Sequence, residues 1–141
     1  MEKLNISTLE NAFISLEATL LKLADEKWFN QQDDIVQDTL VAGAIQKFEF
    51  VYELSIKIMK RQLKLMSGTP EEIDNTDFRD VLRSSAKAGL IDDVESWIFY
   101  RKMRNVTSHT YDQNKAQEIY QNIQSFLESA RSLIKQLEKQ Q

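Results

Sequence analysis

This sequence predicts an all-α protein, an antiparallel up-and-down four-helix bundle with an additional short helix. Two observations carry that prediction. Only three glycines and one proline occur in 141 residues, so there is little turn material for many short strands. Apolar residues also recur at steps of three and four through successive stretches, the period of a helix with one buried face.

The first helix is expected to start near Ser7, where Ser7-Thr8-Leu9-Glu10 fits a capping box. Leu9, Phe13, Leu16, Leu20 and Leu23 then lay down one apolar seam, which ends near Trp28. Asn30 to Asp34 is a polar connection that supplies the next N-cap. The second and longest helix spans about Ile35 to Met66, ahead of Gly68-Thr69-Pro70. It carries two stripes, Val41, Ile45, Phe48, Tyr52 and Met59 beside Ala44, Val51, Leu54, Ile58 and Leu65. So wide an apolar face marks a central helix.

Pro70 to Asn75 is acidic and helix-poor. Asn75 or Thr76 can cap a short third helix with Phe78, Val81, Leu82 and Ala86, and Gly89 is placed to stop it. Asp92-Asp93-Val94-Glu95 offers a cap for the fourth helix, with Trp97 and Ile98 turned inward. Asp112 or Asn114 caps the fifth, where Ala116, Ile119, Ile123, Phe126, Ala130, Leu133 and Leu137 repeat at three and four. The seams of the first and fifth helices are heptad-like, so a dimer contact is an alternative use for them.

The length suits one domain over residues 1–141, and no repeat or second composition zone divides it. No cysteine is present, which excludes a disulfide framework, and a single histidine excludes a multi-histidine zinc site within one chain. No metal or cofactor is expected. Met1 to Glu10 is polar and nowhere are there the roughly 18 consecutive apolar residues of a membrane span, so the expected compartment is the cytoplasm. A net charge of −4 argues against general affinity for nucleic acid. Contact with RNA would be local, at Lys57, Lys60, Arg61 and Lys64, or at Arg101, Lys102 and Arg104, each of which can equally be a solvated helix face.

The chemistry concentrates at Arg104 to Tyr111, which holds the one histidine. Imidazole can take or give a proton near neutrality, and guanidinium stabilises charge developing on phosphate oxygens. With RNA as substrate the nucleophile is its own 2′-hydroxyl, so Arg104 and His109 suffice for cleavage without metal. Five residues apart, the two lie about 140° apart around an ideal helix. Either the helix ends or unwinds across Val106-Thr107-Ser108, or a second subunit completes the pair, and the long stem of Arg104 allows a partial closure as well. The structural alternative for His109 is a charged cap on the last helical carbonyls. Glu49, Glu53 and Lys57, at i, i+4 and i+8, form either a surface ion-pair ladder or carboxylates that orient Arg104 or His109 from an adjacent helix.

Arg104-Asn105-Val106-Thr107-Ser108-His109-Thr110-Tyr111 matches the Arg-x4-His-x-Tyr signature of the HEPN superfamily. With Ala44 to Leu54 and Gly89-Leu90-Ile91-Asp92 plus Trp97 in the same order, the chain resembles the nucleotidyltransferase substrate-binding family. That resemblance implies a dimerising helical bundle acting as a HEPN toxin, a metal-independent endoribonuclease paired with a minimal nucleotidyltransferase. It implies catalytic roles for Arg104, His109 and Asn105, with Ser108 as a supporting residue, and Tyr111 as the acceptor of AMP that silences the toxin. The family is also described as a noncatalytic subunit that presents substrate to a nucleotidyltransferase. A plain helical interaction module is the third expectation.

Overall fold

A computed structural model describes residues 4–109 and 113–141, the side chains of 106–109 and 113–120 lying outside that description. The elements are α1 (Ser7–Ala24), α2 (Glu26–Asn30), α3 (Asp34–Met66), α4 (Pro70–Asp74), α5 (Phe78–Lys87), α6 (Val94–His109) and α7 (Gln113–Lys139). Helices α1, α3, α6 and α7 form the bundle. Cross-helix contacts fix their directions. Leu4 N–H donates to the Gln141 side chain and Arg131 pairs with Glu17, so α1 opposes α7. Phe48 lies against Phe126 and Gln62 against Gln140, fourteen residues further along each chain segment, so α3 and α7 run the same way across the bundle.

The expected seam residues of α1 are all buried, and so are Ile123, Phe126, Ala130, Leu133 and Leu137 of α7. The α1 seam and the α7 seam from Ile123 on are consumed inside the chain, which removes those residues as a dimer contact, and the side chains of Ala116 and Ile119 lie outside the described residues. On α3, Ala44, Phe48, Val51, Tyr52, Ile58 and Met59 are buried, but Leu65 in the last turn is exposed. The centre is aromatic. Phe126 meets Phe48, Trp97 and Tyr100 edge-on at centroid distances of 4.8, 5.8 and 5.1 Å.

The helix ends differ from expectation in several places. The Ser7 capping box does not form; α1 has Ile6 at its N-cap, and the Asn5 side chain accepts from Ser7 N–H instead. Asp77, rather than Asn75 or Thr76, caps α5 by accepting from Asp80 N–H. The acidic stretch expected to be helix-poor holds the one-turn α4, because Pro70 sits in its first turn, where its missing N–H costs nothing. Asp33 caps α3 and Asp93 caps the start of α6, as expected. Gly89 stops α5 with φ +81°: Leu90 N–H donates to Ser85 carbonyl and Gly89 N–H to Ala86 carbonyl, a Schellman closure. Asp112 and the Asn114 side chain lie outside the described residues. Among those residues, no helix is long and apolar enough to cross a membrane.

Candidate functional site

Three residues fix how α6 sits. Trp97, Tyr100 and Met103 recur every three positions and are all buried. The Tyr100 hydroxyl lies 3.1 Å from Ser125 carbonyl and 2.7 Å from Ser129 Oγ, which ties α6 to α7 at both ring and hydroxyl. With that face turned inward, the next position, Arg104, falls on the flank towards α3. There it meets Glu53, which follows buried Tyr52 and so occupies the matching flank of α3.

Arg104 Nε donates to Glu53 Oε1 at 3.0 Å and Nη2 to the same oxygen at 2.5 Å. The side chains are 31% and 52% exposed. The hydrogen bond to Glu53, followed by attraction to Glu53 and Glu49, holds the guanidinium above its ordinary pKa. Glu49, one turn earlier on α3 and half-buried, thus acts on the same charge. The ladder alternative is not what forms: among the described residues, Glu53 pairs across to α6 and not along its own helix to Lys57. Of the first basic cluster, Lys64 pairs with Asp74 at 2.6 Å, and Lys57 and Arg61 are exposed on a solvated face.

Helix α6 continues through Val106-Thr107-Ser108 to His109, so of the alternatives for closing the pair, unwinding does not occur. Helix propensity of β-branched residues is a weak prior, and here it is overridden. The backbone positions of Arg104 and His109 therefore keep the offset of about 140° with a rise of about 7.5 Å. Asn105 is exposed beside Arg104. The side chains of Ser108 and His109, and all of Tyr111, lie outside the described residues. The structure thus brings together Arg104, Glu53 and Glu49 of the expected set.

Sequence reasoning missed Tyr52, which it placed only in the core stripe. The ring is buried, and that burial pushes its phenol pKa up to about 12, against the pull of the Arg101 and Arg104 charges. The signal was available: a buried tyrosine needs an outlet for its hydroxyl. Arg101 was noted as charge alone, yet its guanidinium lies over the Phe78 ring at 4.4 Å from the centroid. A groove of about 410 Å³ between α1 and α3, lined by Ala12, Ser15, Gly43, Gln46, Lys47 and Phe50, includes none of these residues.

Residues 4–139 match the family described as nucleotidyltransferase substrate binding protein like, and the chain belongs to that family. A Haemophilus influenzae protein named probable ribonuclease HepT is 52% identical over 136 residues, covering 96% of this chain and 93% of the relative. A Haemophilus influenzae structure described as the fold of a substrate-binding domain of a nucleotidyltransferase superposes with a TM-score of 0.91. It is 51% identical and covers 95% of this chain and 99% of its own. A Thermus thermophilus structure with a TM-score of 0.67, at 21% identity and covering 92% and 98%, shares the fold.

Proposed function

We propose that this chain is a HEPN-type toxin subunit, a metal-independent endoribonuclease paired with and inhibited by a minimal nucleotidyltransferase that adenylylates it. The observation that carries this reading is the Arg104 guanidinium, oriented by Glu53 and partly exposed on the helix that ends in His109. Similarity to a relative named a ribonuclease supports it. In the proposed step, His109 takes the proton of a substrate 2′-hydroxyl, and the 2′-oxygen attacks the adjacent phosphorus. The P–O5′ bond breaks, the 5′-oxygen takes a proton from solvent water, and the proton held by His109 returns to solvent, leaving a 2′,3′-cyclic phosphate and a 5′-hydroxyl. Arg104 stabilises the charge on the phosphate oxygens, and Asn105 offers a further polar contact.

Purified protein is expected to cleave single-stranded RNA without added metal, and Arg104→Ala or His109→Ala to slow this by roughly 10²-fold or more with the fold intact. Equal activity in all three proteins would identify a contaminant and sink the reading. The second reading is a noncatalytic substrate-binding subunit, favoured by the family description and by the description of the solved relative. No cleavage by any variant, together with normal binding of the nucleotidyltransferase, would select it.

Silencing is assigned to Tyr111, whose AMP phosphate would compete for the arginine that the RNA phosphate needs. Incubation with the partner, ATP and Mg²⁺ is expected to add one AMP, mapped by peptide mass to Tyr111. AMP on Tyr100 or Tyr120, or an unchanged mass, refutes that assignment.

A further inference from the structure

One turn before Arg104, the same edge of the bundle carries groups that the proposed cleavage does not use. Arg101 is exposed, and its guanidinium is held over the Phe78 ring. Cation–π contact fixes its direction without cancelling its charge. Arg79 pairs with Glu95 and Arg83 with Asp80, while Arg104 is oriented by Glu53 for the scissile phosphate. Among the described residues, no carboxylate lies within ion-pair distance of Arg101.

Tyr52 supplies the second observation. Its residue is only 6% exposed, yet no hydrogen bond is made by its hydroxyl among the described residues. A sealed oxygen in that condition would be an unsatisfied buried atom, and the one such atom among the described residues is Ser85 Oγ. The Tyr52 hydroxyl therefore reaches solvent while its ring stays in the core. Its ionisation is subject to Arg101 and Arg104 together, so it lies in the field of both guanidinia. At neutral pH it is a protonated donor.

We propose that Arg101 and the Tyr52 hydroxyl form a second phosphate subsite, which holds the phosphate next to the scissile one in a single RNA strand. The proposal rests on the ribonuclease reading above. Positions 101 and 104 are three residues apart on α6, about 60° and about 4.5 Å of rise from each other. Both cations thus border the same α3–α6 edge, with the phenol of α3 in reach of the field of each. A guanidinium offers paired donors to phosphate oxygens, and the absence of a competing carboxylate leaves Arg101 better suited than Arg79 or Arg83 to take one. The ligand is a strand with at least two phosphates, and the two residues bind backbone, not base.

The test uses the intact protein and a labelled 2′-O-methyl octanucleotide that cannot be cleaved, with binding followed by anisotropy across a salt series. Losing one phosphate contact should reduce the slope of log affinity against log salt by about 0.7 in Arg101→Ala. Arg101→Lys is expected to recover that slope, which loss of packing on Phe78 alone does not predict. Tyr52→Phe should weaken binding roughly tenfold with the slope unchanged. Arg79→Ala serves as the control and should match wild type. Circular dichroism identifies any variant that has not folded; should Arg101→Ala be one, Arg101→Gln, which keeps the stem over Phe78 without the charge, carries the comparison with the same expected loss of slope. Normal wild-type binding with an unchanged slope and affinity in Arg101→Ala overturns the subsite alone. Wild-type protein that binds no strand overturns the ribonuclease reading and the subsite with it.

Discussion

Two nitrogens of Arg104 converge on one oxygen of Glu53. An ion pair this exposed contributes only about 0–1 kcal/mol to stability, so its consequence is orientation more than cohesion. A swinging arginine would have to be immobilised each time a phosphate arrived, whereas one held by a carboxylate has already lost that freedom. Glu53→Gln keeps the shape and an accepting oxygen but removes the charge. It is expected to lower kcat for RNA roughly tenfold while KM changes little. Its melting temperature should move by no more than about 5 °C. A large loss of stability with cleavage intact would make Glu53 a structural tie between α3 and α6 and nothing more.

Helix α6 joins core and site, since its buried Trp97, Tyr100 and Met103 set the angle at which Arg101 and Arg104 emerge. Trp97→Ala removes a 2%-exposed ring that packs on Phe126 and should cost about 3–5 kcal/mol. Tyr100→Phe keeps the ring, loses the bonds to Ser125 and Ser129, and should cost about 1 kcal/mol. Denaturant titration checks both, with cleavage expected to survive in Tyr100→Phe. Full stability with cleavage lost in that variant would instead put the phenol in the site. Much of this geometry was legible before any coordinates, because burying Leu9 to Leu23 or Trp97 imposes the 3.6-residue period directly on the sequence. The residues at the helix starts were less legible: Asn5, which takes the Ser7 N–H, and Asp77, which caps α5, compete with equally polar neighbours, and the choice depends on local backbone angles. Pro70 looked like a breaker because proline both ends helices and starts them. The Glu53–Arg104 pair was left as one of two options, since i, i+4 spacing describes a ladder and a cross-helix contact equally. Only the packing of α3 on α6 separates them.

For the molecule as a whole, continuity of α6 through His109 sharpens the question of how one site uses both motif residues. Their backbone positions face about 140° apart, and the helix does not unwind to close that angle. Among the described residues, the apolar seams of α1 and α7 are filled within the chain, so they supply no reason for a dimer. The angular offset does, and the expected arrangement is a homodimer in which Arg104 of one protomer works with His109 of its partner. Mixing the two inactive variants tests this directly. In a mixed dimer of Arg104→Ala and His109→Ala chains, one composite site loses both residues and the other recovers both. Random exchange makes half the dimers mixed, with one working site of two, so about a quarter of wild-type activity should return. If both residues act within one chain, every site in every combination lacks one of them and nothing returns. Light scattering on the same samples must show a dimer at micromolar concentration. A monomer there, or a dimer with no recovery after verified subunit exchange, rules out the shared site.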